Sequence, residues 1–311
     1  MLRSYGDPMS TEVSERAALV ALLRERPESR SWAELTVEVL AAGSAVTAWD
    51  ALVDQPLVWT PGAPDPRGVA AADLAVWGSQ GHRLVTVLDD QYPARLRGIH
   101  QVPPVLFWRG GLRADDRAVS VVGSRDASAR GLELARDIAA GLVEHGLTVV
   151  AGLAAGIDTA AHRAALDAGG RTVAFIATGI TRVYPPANRD LHEEIAARGM
   201  LASQFWPDAP PQKHTFIQRN ATMSGYGLAT VVVEAGEFSG TRSQARMAVE
   251  HGRPVILLDS VARKTFWGQE LLGRPGVRVA ASADEVLTAV QEITAQAAEF
   301  TPKRLVELAT T

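Results

Sequence analysis

Three segments of the chain share one pattern: an apolar run of strand length, a turn rich in glycine and small polar residues, and a helix-length segment. They are residues 119–125, 147–158 and 230–241. In the middle segment, Gly152 and Gly156 stand between the apolar run and a stretch of small apolar residues. Turns of this kind aim backbone N–H groups at an anion. Three of them predict one ligand-binding edge on one parallel sheet.

Strands and helices alternate from residue 119 onward, and this alternation predicts the fold class α/β. Two further strands are expected before it, at residues 82–87 and 103–108, and a last helix begins at Ser282. Such an order is typical of a mostly parallel sheet with helices on both faces. Ligands of these sheets bind beyond the carboxyl ends of the strands. The six predicted strands of the alternating region are residues 119–122, 147–151, 172–176, 200–202, 230–234 and 254–258.

The first 80 residues have a different pattern, which predicts a small helical N-terminal module. A cluster of prolines within residues 56–66 indicates a linker or a long loop. Modules of this kind can bind partners or DNA, but packing on the larger domain is the favoured interpretation. Residues 81–299 form the predicted main domain, and residues 300–311 are a short tail. The helices expected in the module are residues 14–24, 32–40, 45–52 and 73–77.

Composition limits what the predicted edge could bind. The 31 basic and 35 acidic residues give a net charge of −4, so a phosphate would need a local patch rather than a general positive field. The chain has no cysteine, and its seven histidines are scattered without a His-Glu-x-x-His motif, so no metal site is predicted. No apolar run approaches the length of a membrane span, and a cytoplasmic protein is expected.

Two of the turns carry polar residues that could bind a phosphate or form an acid–base pair. Arg125 follows Gly123 and Ser124 and could clamp a phosphate with two N–H groups, although a tight turn with a solvated arginine is an equal alternative. Asp158 and His162 are four residues apart on one helix face and could form an acid–base pair. The favoured interpretation is structural, with the carboxylate supporting the helix N-terminus and the imidazole packing beside it.

Further polar residues lie near the same predicted edge. Asn188 and Arg189 follow a proline-rich turn and could contact sugar or phosphate, or could simply belong to that turn. Arg242 and Arg246 are expected on a solvated helix face, with Arg246 paired to Glu250. The remaining candidates are Arg219 and Asn220 on one helix and Ser239, Gly240 and Thr241 at the start of another.

With these turns in place, the chain resembles the DprA/Smf DNA-processing proteins over about residues 30 to 258. The Gly-Ile-Asp-x-x-Ala-His motif that ends at His162 is the most specific part of this resemblance. The motifs that carry it are, in order, Asp90-Gln-Tyr-Pro93, Pro103-Pro-Val-Leu-Phe107, Val-Gly-Ser-Arg125, Gly152-Leu-Ala-x-Gly-Ile-Asp-Thr-Ala-Ala-His162, Gly169-Gly170, Tyr184-Pro-x-x-Asn188, Arg219-Asn220, Val-Val-Glu234-Ala and Ser239-Gly-Thr241.

The resemblance implies an extended Rossmann-like domain that forms a homodimer, binds single-stranded DNA and loads the RecA recombinase onto it during natural transformation. It implies no catalytic residue and no cofactor. Arg125 would be the principal phosphate clamp, and Arg189 and Arg219 would be weaker contacts. The turn residues that would line the DNA pocket are Gly123, Ser124, Gly152, Gly156, Ser239, Gly240 and Thr241.

The sequence departs from the family pattern in three places. Residues 219–225 lack one arginine of the family motif Arg-Asn-Arg-Ile-Ile-Ala-Gly. Residues 259–268 stand where the family has a Pro-Gly loop rich in Ser, Gly and Asn. The C-terminal winged-helix domain that many members carry is not predicted here. These departures concern the role in transformation rather than the fold.

Two other functions are open for a chain of this superfold. Lysine-decarboxylase-like phosphoribohydrolases use a Gly-Gly-x-Gly-Thr-x-x-Glu turn, and Gln244 stands here at the position of the glutamate. A glutamine cannot take a proton as that glutamate does, which counts against hydrolysis of a nucleotide. The third possibility is a nucleotide-sensing module in a defence or signalling system, which the altered residues 259–268 leave open.

Overall fold

The computed structural model describes residues 8–53 and 64–299. The predicted linker at residues 56–66 lies mostly outside this range, and so does the predicted tail at residues 300–311. The helical N-terminal module is present and consists of α1 Pro8–Glu25, α2 Trp32–Ala42, α3 Ala45–Val53 and α4 Pro66–Ser79. Helix α4 is longer than the predicted residues 73–77 because the Asp65 carboxylate caps its first turn, accepting from Arg67 N at 3.0 Å.

A nine-stranded sheet runs through the main domain in the order β1-β2-β6-β5-β4-β3-β7-β8-β9. Only the pairs β1–β2 and β2–β6 are antiparallel, so the prediction of a mostly parallel sheet is confirmed. The strands are β1 Arg83–Thr86, β2 Val105–Gly110, β3 Ala118–Gly123, β4 Thr148–Ala151, β5 Thr172–Phe175, β6 Met200–Ser203, β7 Ala229–Glu234, β8 Val255–Leu258 and β9 Val277–Ala280. The last of these was not predicted, because its residues are mostly accessible to solvent and form no apolar run.

Helices cover both faces of the sheet, which confirms the predicted α/β class. One core cluster joins the sheet to α5, α6 and α12, and a second joins the opposite face to α8, α9, α10 and α11. Alternate residues of the buried strands therefore belong to different clusters, as Val149 and Val150 do on β4. The helices of the main domain are α5 Ala129–Glu144, α6 Ile157–Asp167, α7 Arg189–Arg198, α8 Lys213–Tyr226, α9 Thr241–Glu250, α10 Asp259–Lys264, α11 Phe266–Leu271 and α12 Ala283–Glu299.

The N-terminal module packs on the end of the sheet that carries β2 and β6. Its buried leucines share one core cluster with Phe107, Leu201 and residues of α7. An aromatic group closes the contact: Trp206 lies 5.1 Å from Trp32 and 5.8 Å from Trp77, measured between ring centroids. Among the helices of residues 8–53 and 64–299, none alone is long and apolar enough to cross a membrane; α2 and α3 qualify only as a pair, bent by 115°.

The position of the three glycine turns follows from the strand order. Strands β4, β3 and β7 are neighbours and run parallel, so their carboxyl ends meet at one edge of the sheet. The turns after these strands are the three segments that the sequence pattern selected. The prediction that they share one edge is confirmed, and the site is built there.

Candidate functional site

A cavity of about 900 Å³ opens at the carboxyl ends of β3 and β7, between the first turns of α8 and α9. Its walls come from the turns after β3 and β7 and from one face of α8. Eight of the twelve sequence-predicted site residues line this cavity, namely Gly123, Ser124, Arg125, Arg219, Asn220, Ser239, Gly240 and Thr241. The structure therefore brings most of the predicted edge into one concave site.

The first and third turns are tied together by hydrogen bonds. Ser124 N donates to the carbonyl oxygen of Glu234 at 2.7 Å, and Thr241 Oγ1 donates to that of Gly123 at 3.2 Å. The Glu234 carboxylate accepts from both N and Oγ of Ser128, at the start of α5. Gly123 must be glycine, because a Cβ there would lie 2.6 Å from the Ile157 side chain. Small residues and the Glu234 carboxylate therefore determine the shape of this wall.

Arg125 and Phe216 form the exposed mouth of the cavity. The Arg125 guanidinium lies 5.3 Å from the centroid of the Phe216 ring, which holds the charge over an aromatic face. Lys213, Phe216 and Ile217 are spaced three and four residues apart, so they occupy one face of α8 and line the cavity together. In the turn after β7, the Phe238 side chain also lines the cavity and is 99% exposed. Cations and aromatic faces are therefore available side by side.

These aromatic residues were not among the sequence-predicted site residues. Phe216 is also in edge contact with Tyr184, at 5.6 Å between ring centroids, which adds a third ring near the mouth. One signal in the sequence pointed toward them: Phe238 sits inside the glycine turn between Glu237 and Ser239, where a large apolar side chain has no core to enter.

Arg219 lies beneath the cavity floor rather than at its mouth. Its side chain is buried, and Nη1 donates to the carbonyl oxygens of Gly152 at 2.5 Å and Phe175 at 2.9 Å. Nε donates to Asn220 Oδ1 at 3.1 Å. Burial lowers the pKa of Arg219 to about 10, so the group stays charged at neutral pH. It ties the ends of β4 and β5 together and contributes positive potential from below.

Gly152 and Gly156 do not line the cavity, but they support the turns that do. A Cβ at Gly152 would overlap the Arg219 guanidinium, so glycine leaves the room that this side chain occupies. Gly156 has φ +76°, a conformation that disfavours side chains, and a Cβ there would overlap the Ser124 carbonyl oxygen. That oxygen accepts from Ile157 N at 3.2 Å. The second turn therefore positions the first.

Asp158 and His162 bond to different partners in the structure. Asp158 Oδ2 accepts from Gly152 N at 3.0 Å and Ala154 N at 3.3 Å, which fixes the second turn. Burial raises the pKa of Asp158, and the charge of Arg219 opposes that rise. His162 Nδ1 lies 2.7 Å from Thr172 Oγ1. Burial lowers the pKa of His162 to about 3, and the imidazole is neutral.

The structure places Asn188 and Arg189 away from the cavity. Asn188 is buried, and its Nδ2 donates to the carbonyl oxygen of Leu153 and to Thr159 Oγ1, both at 2.9 Å, so it braces the second turn from behind. Arg189 lines a different cleft, near His192 and Glu193. The expected Arg246–Glu250 pair is wrong, because Arg246 Nη2 instead bonds Glu270 Oε2 on α11 at 3.0 Å.

The segment that departs from the family pattern forms two short helices, α10 and α11, in contact with the third turn. The Glu237 carboxylate accepts from Phe266 N at 2.8 Å, at the start of α11. The buried Trp267 donates from its indole Nε1 to the carbonyl oxygen of Gly236 at 3.2 Å. These contacts brace the loop that presents Phe238. They also satisfy one oxygen of the Glu237 carboxylate, which itself lines the cavity.

Three cations and three carboxylates line the cavity, and backbone N–H groups bond two of the three carboxylates. Arg125, Lys213 and Arg219 approach it, while Asp158 and Glu237 are each bound to backbone N–H groups. Asp126 is the remaining acidic side chain of the lining and lies exposed on the rim. Within the part of the chain that the structure describes, no group of three or more His, Asp or Glu side chains could hold a metal ion. The arrangement suits an anion flanked by aromatic rings.

Comparison with known proteins decides the family. A model of the DNA recombination-mediator protein A family, DprA, matches residues 83–291. The chain belongs to this family. The match begins later and extends further than residues 30 to 258, over which the resemblance was recognised, and it includes the altered segment at residues 259–268.

Individual DprA proteins agree with this assignment. A putative DNA processing protein DprA of Mycobacterium tuberculosis is 39% identical over 239 residues, which are 72% of this chain and 61% of that protein. The chain thus spans less than two thirds of that relative. The DprA structure from Streptococcus pneumoniae matches with a TM-score of 0.65 at 28% identity, covering 89% of this chain and 95% of that one.

A second DprA structure supports the fold alone. DprA from Helicobacter pylori matches with a TM-score of 0.60 at 22% identity and covers 68% of this chain and 96% of that one. The extended Rossmann-like fold expected from the resemblance is confirmed by these structural matches. The glycine turns after β3, β4 and β7 therefore belong to a DprA fold.

Proposed function

We propose that this DprA-family chain binds single-stranded DNA in the cavity at the carboxyl edge of its sheet. The observation that carries the proposal is the lining of the cavity, where the Arg125 guanidinium is held over the Phe216 ring and the exposed Phe238 side chain belongs to the same lining. A guanidinium clamps phosphate, and aromatic faces stack on unpaired bases of any sequence. Phosphates and unpaired bases both recur along a single strand of DNA.

A single strand fits this mouth better than a duplex does. Bases in a duplex are stacked on each other and hide their faces, whereas a flexible strand can turn its bases toward Phe216 and Phe238. Within the described residues, the lining of the cavity comes from turns and helix starts and contains no long helix positioned to enter a major groove. Stiffness also keeps a duplex from curling into a narrow site.

The wider role is part of the same proposal. The matching family is one of DNA recombination mediators, and H. pylori DprA has a unique single-stranded DNA binding mode. By family membership, the bound strand would be incoming DNA during natural transformation, handed to the RecA recombinase in the cytoplasm by a homodimer. Two cavities on one strand would raise the apparent affinity through avidity. The chain would act by binding, without catalysis and without a cofactor.

Replacing Arg125 tests the proposal. We expect Arg125→Ala to weaken binding of a labelled oligothymidylate about 10-fold and to lower the salt dependence by about one ion, because one phosphate contact is lost. Thermal stability should stay unchanged, since the side chain is exposed. The measurement is fluorescence anisotropy at several salt concentrations.

A matched control is available five residues along the chain. Arg130 is also exposed, but it pairs with Glu133 on α5 at 2.7 Å and does not line the cavity. Arg130→Ala removes the same charge and should bind nearly as wild type does. If both arginine variants lose affinity equally, or neither does, the cavity is not the DNA site.

A further inference from the structure

The Gln244 side chain lies at the cavity with an unused hydrogen-bond donor. It belongs to the first turn of α9, lines the cavity and is only 3% exposed. Its Nε2 is buried and has no hydrogen-bond partner among the described residues. Buried polar atoms in native proteins nearly always have a partner, so an unpaired donor on a side chain that lines a cavity indicates an acceptor on a ligand.

The neighbouring groups show what kind of acceptor fits. Gln244 sits in the N-terminal turn of a ten-residue helix, where the helix dipole favours negative charge. The Arg219 guanidinium lies beneath the same floor, and Arg125 and Lys213 stand above it. The acidic side chains nearest the floor are engaged elsewhere, Asp158 by two backbone N–H groups and Glu237 by Phe266 N. Since these two carboxylates already bond backbone N–H groups, the donors left for a ligand are Gln244 Nε2 and the exposed Arg125 and Lys213, and an anionic oxygen is the matching acceptor.

We infer that Gln244 donates a hydrogen bond to a phosphate oxygen of the bound strand, which makes the start of α9 a phosphodiester subsite at the cavity floor. This inference rests on the proposed function and adds the residue that contacts the DNA backbone at the floor of the cavity. An amide suits this place because it can donate without adding charge, whereas a carboxylate at the same position would only accept and would repel phosphate.

The unpaired donor also predicts that replacing Gln244 does not destabilise the ligand-free protein. Methionine has nearly the shape of glutamine without its polar groups, so Gln244→Met removes an unsatisfied buried amide. The thermal stability of the ligand-free variant should be unchanged or higher. A purely structural glutamine would behave the other way, since its loss would destabilise the protein and leave binding intact.

The test compares wild type, Gln244→Met and Gln244→Glu in titrations with a labelled oligothymidylate. We expect about 10-fold weaker binding for the methionine variant, because a hydrogen bond to a charged group is lost. The glutamate variant should bind at least as weakly, since it adds like charge beside phosphate. Gln291→Glu is the charge control: that residue is exposed on α12, away from the cavity, and the variant should bind as wild type does.

A second titration identifies the acceptor. An abasic oligonucleotide of the same length keeps every phosphate and lacks every base, so the deficit of Gln244→Met should persist on it. A deficit confined to the oligonucleotide with bases would overturn the phosphate assignment. Wild-type affinity in both Gln244 variants would overturn the inference while leaving the proposed function standing. Absence of DNA binding by wild type would instead overturn the proposed function.

Discussion

At the scale of single residues, position 244 separates two kinds of chemistry on the same superfold. A carboxylate in the equivalent turn serves as a proton acceptor in phosphoribohydrolases, and a carboxamide has no proton to exchange in the neutral pH range. The other carboxylates near the floor, those of Asp158 and Glu237, are held by backbone N–H groups. We therefore expect the cavity to hold a nucleotide chain rather than to cleave a nucleotide.

We expect the protein to release no free base from AMP or cytokinin-type nucleotides. Chromatographic detection of the base after prolonged incubation is the measurement, and heat-inactivated protein is the control. Base release above that control would show that another residue supplies the missing proton transfer and would revive the enzyme alternative.

Single residues also show which parts of the site could be predicted from the sequence. Arg125 could be predicted because it directly follows a glycine turn at the end of an apolar strand. Phe216 could not be, because an aromatic residue in an apolar pattern is usually a core residue, whereas the place of Phe238 inside a glycine turn was a signal. Exposure of Phe238 depends on how the braced loop leaves the sheet. Arg219 was predicted as a phosphate contact. Only the position of α8 in the structure shows that this side chain instead bonds the carbonyl oxygens of Gly152 and Phe175.

At the scale of elements, α6 carries a buried neutral histidine next to the site. Burial lowers the pKa of His162 to about 3 from its ordinary 6.5. As pH falls below 6.5, the unfolded chain takes up a proton at this residue and the folded protein does not. The free energy of unfolding should therefore be full above pH 6.5 and should decrease as pH falls toward 3.

His162→Asn should flatten this dependence. Between pH 7.5 and 5.0, the contribution of His162 amounts to about 2 kcal/mol, because about 1.5 pH units lie below the ordinary pKa and each unit is worth about 1.4 kcal/mol. Urea unfolding at both pH values measures it for each protein against itself, so any general destabilisation by the substitution cancels. An equal loss in wild type and variant would mean that His162 is protonated in the folded state.

Elements differed in how readily the sequence predicted them. The buried strands of the main domain appeared as apolar runs bounded by glycine, which is why all six in the alternating region were predicted close to their observed ends. Strand β9 is half-exposed at the sheet edge and gave no such run. Helices α10 and α11 stand where the family has a loop, and their contacts to Gly236 and Glu237 cannot be predicted from the local sequence pattern.

At the scale of the whole molecule, the net charge is −4, while three cations, Arg125, Lys213 and Arg219, lie together at the cavity. The general field repels DNA at long range, so affinity must come from the few cations and aromatic faces at one edge of the sheet. Binding should consequently fall steeply with salt and should not depend strongly on base sequence. The described helices of the N-terminal module pack at the β2–β6 end and contribute no residue to the cavity lining.

The most direct test of this account is a competition titration of the whole chain. A labelled single-stranded oligonucleotide is displaced by the same unlabelled strand, by its duplex, and by mononucleotides such as ATP or ADP-ribose. We predict that the single strand competes best, that the duplex competes poorly, and that mononucleotides at micromolar concentration do not compete. Duplex binding as tight as single-strand binding would contradict the account, and saturable mononucleotide binding without oligonucleotide binding would support a nucleotide sensor instead.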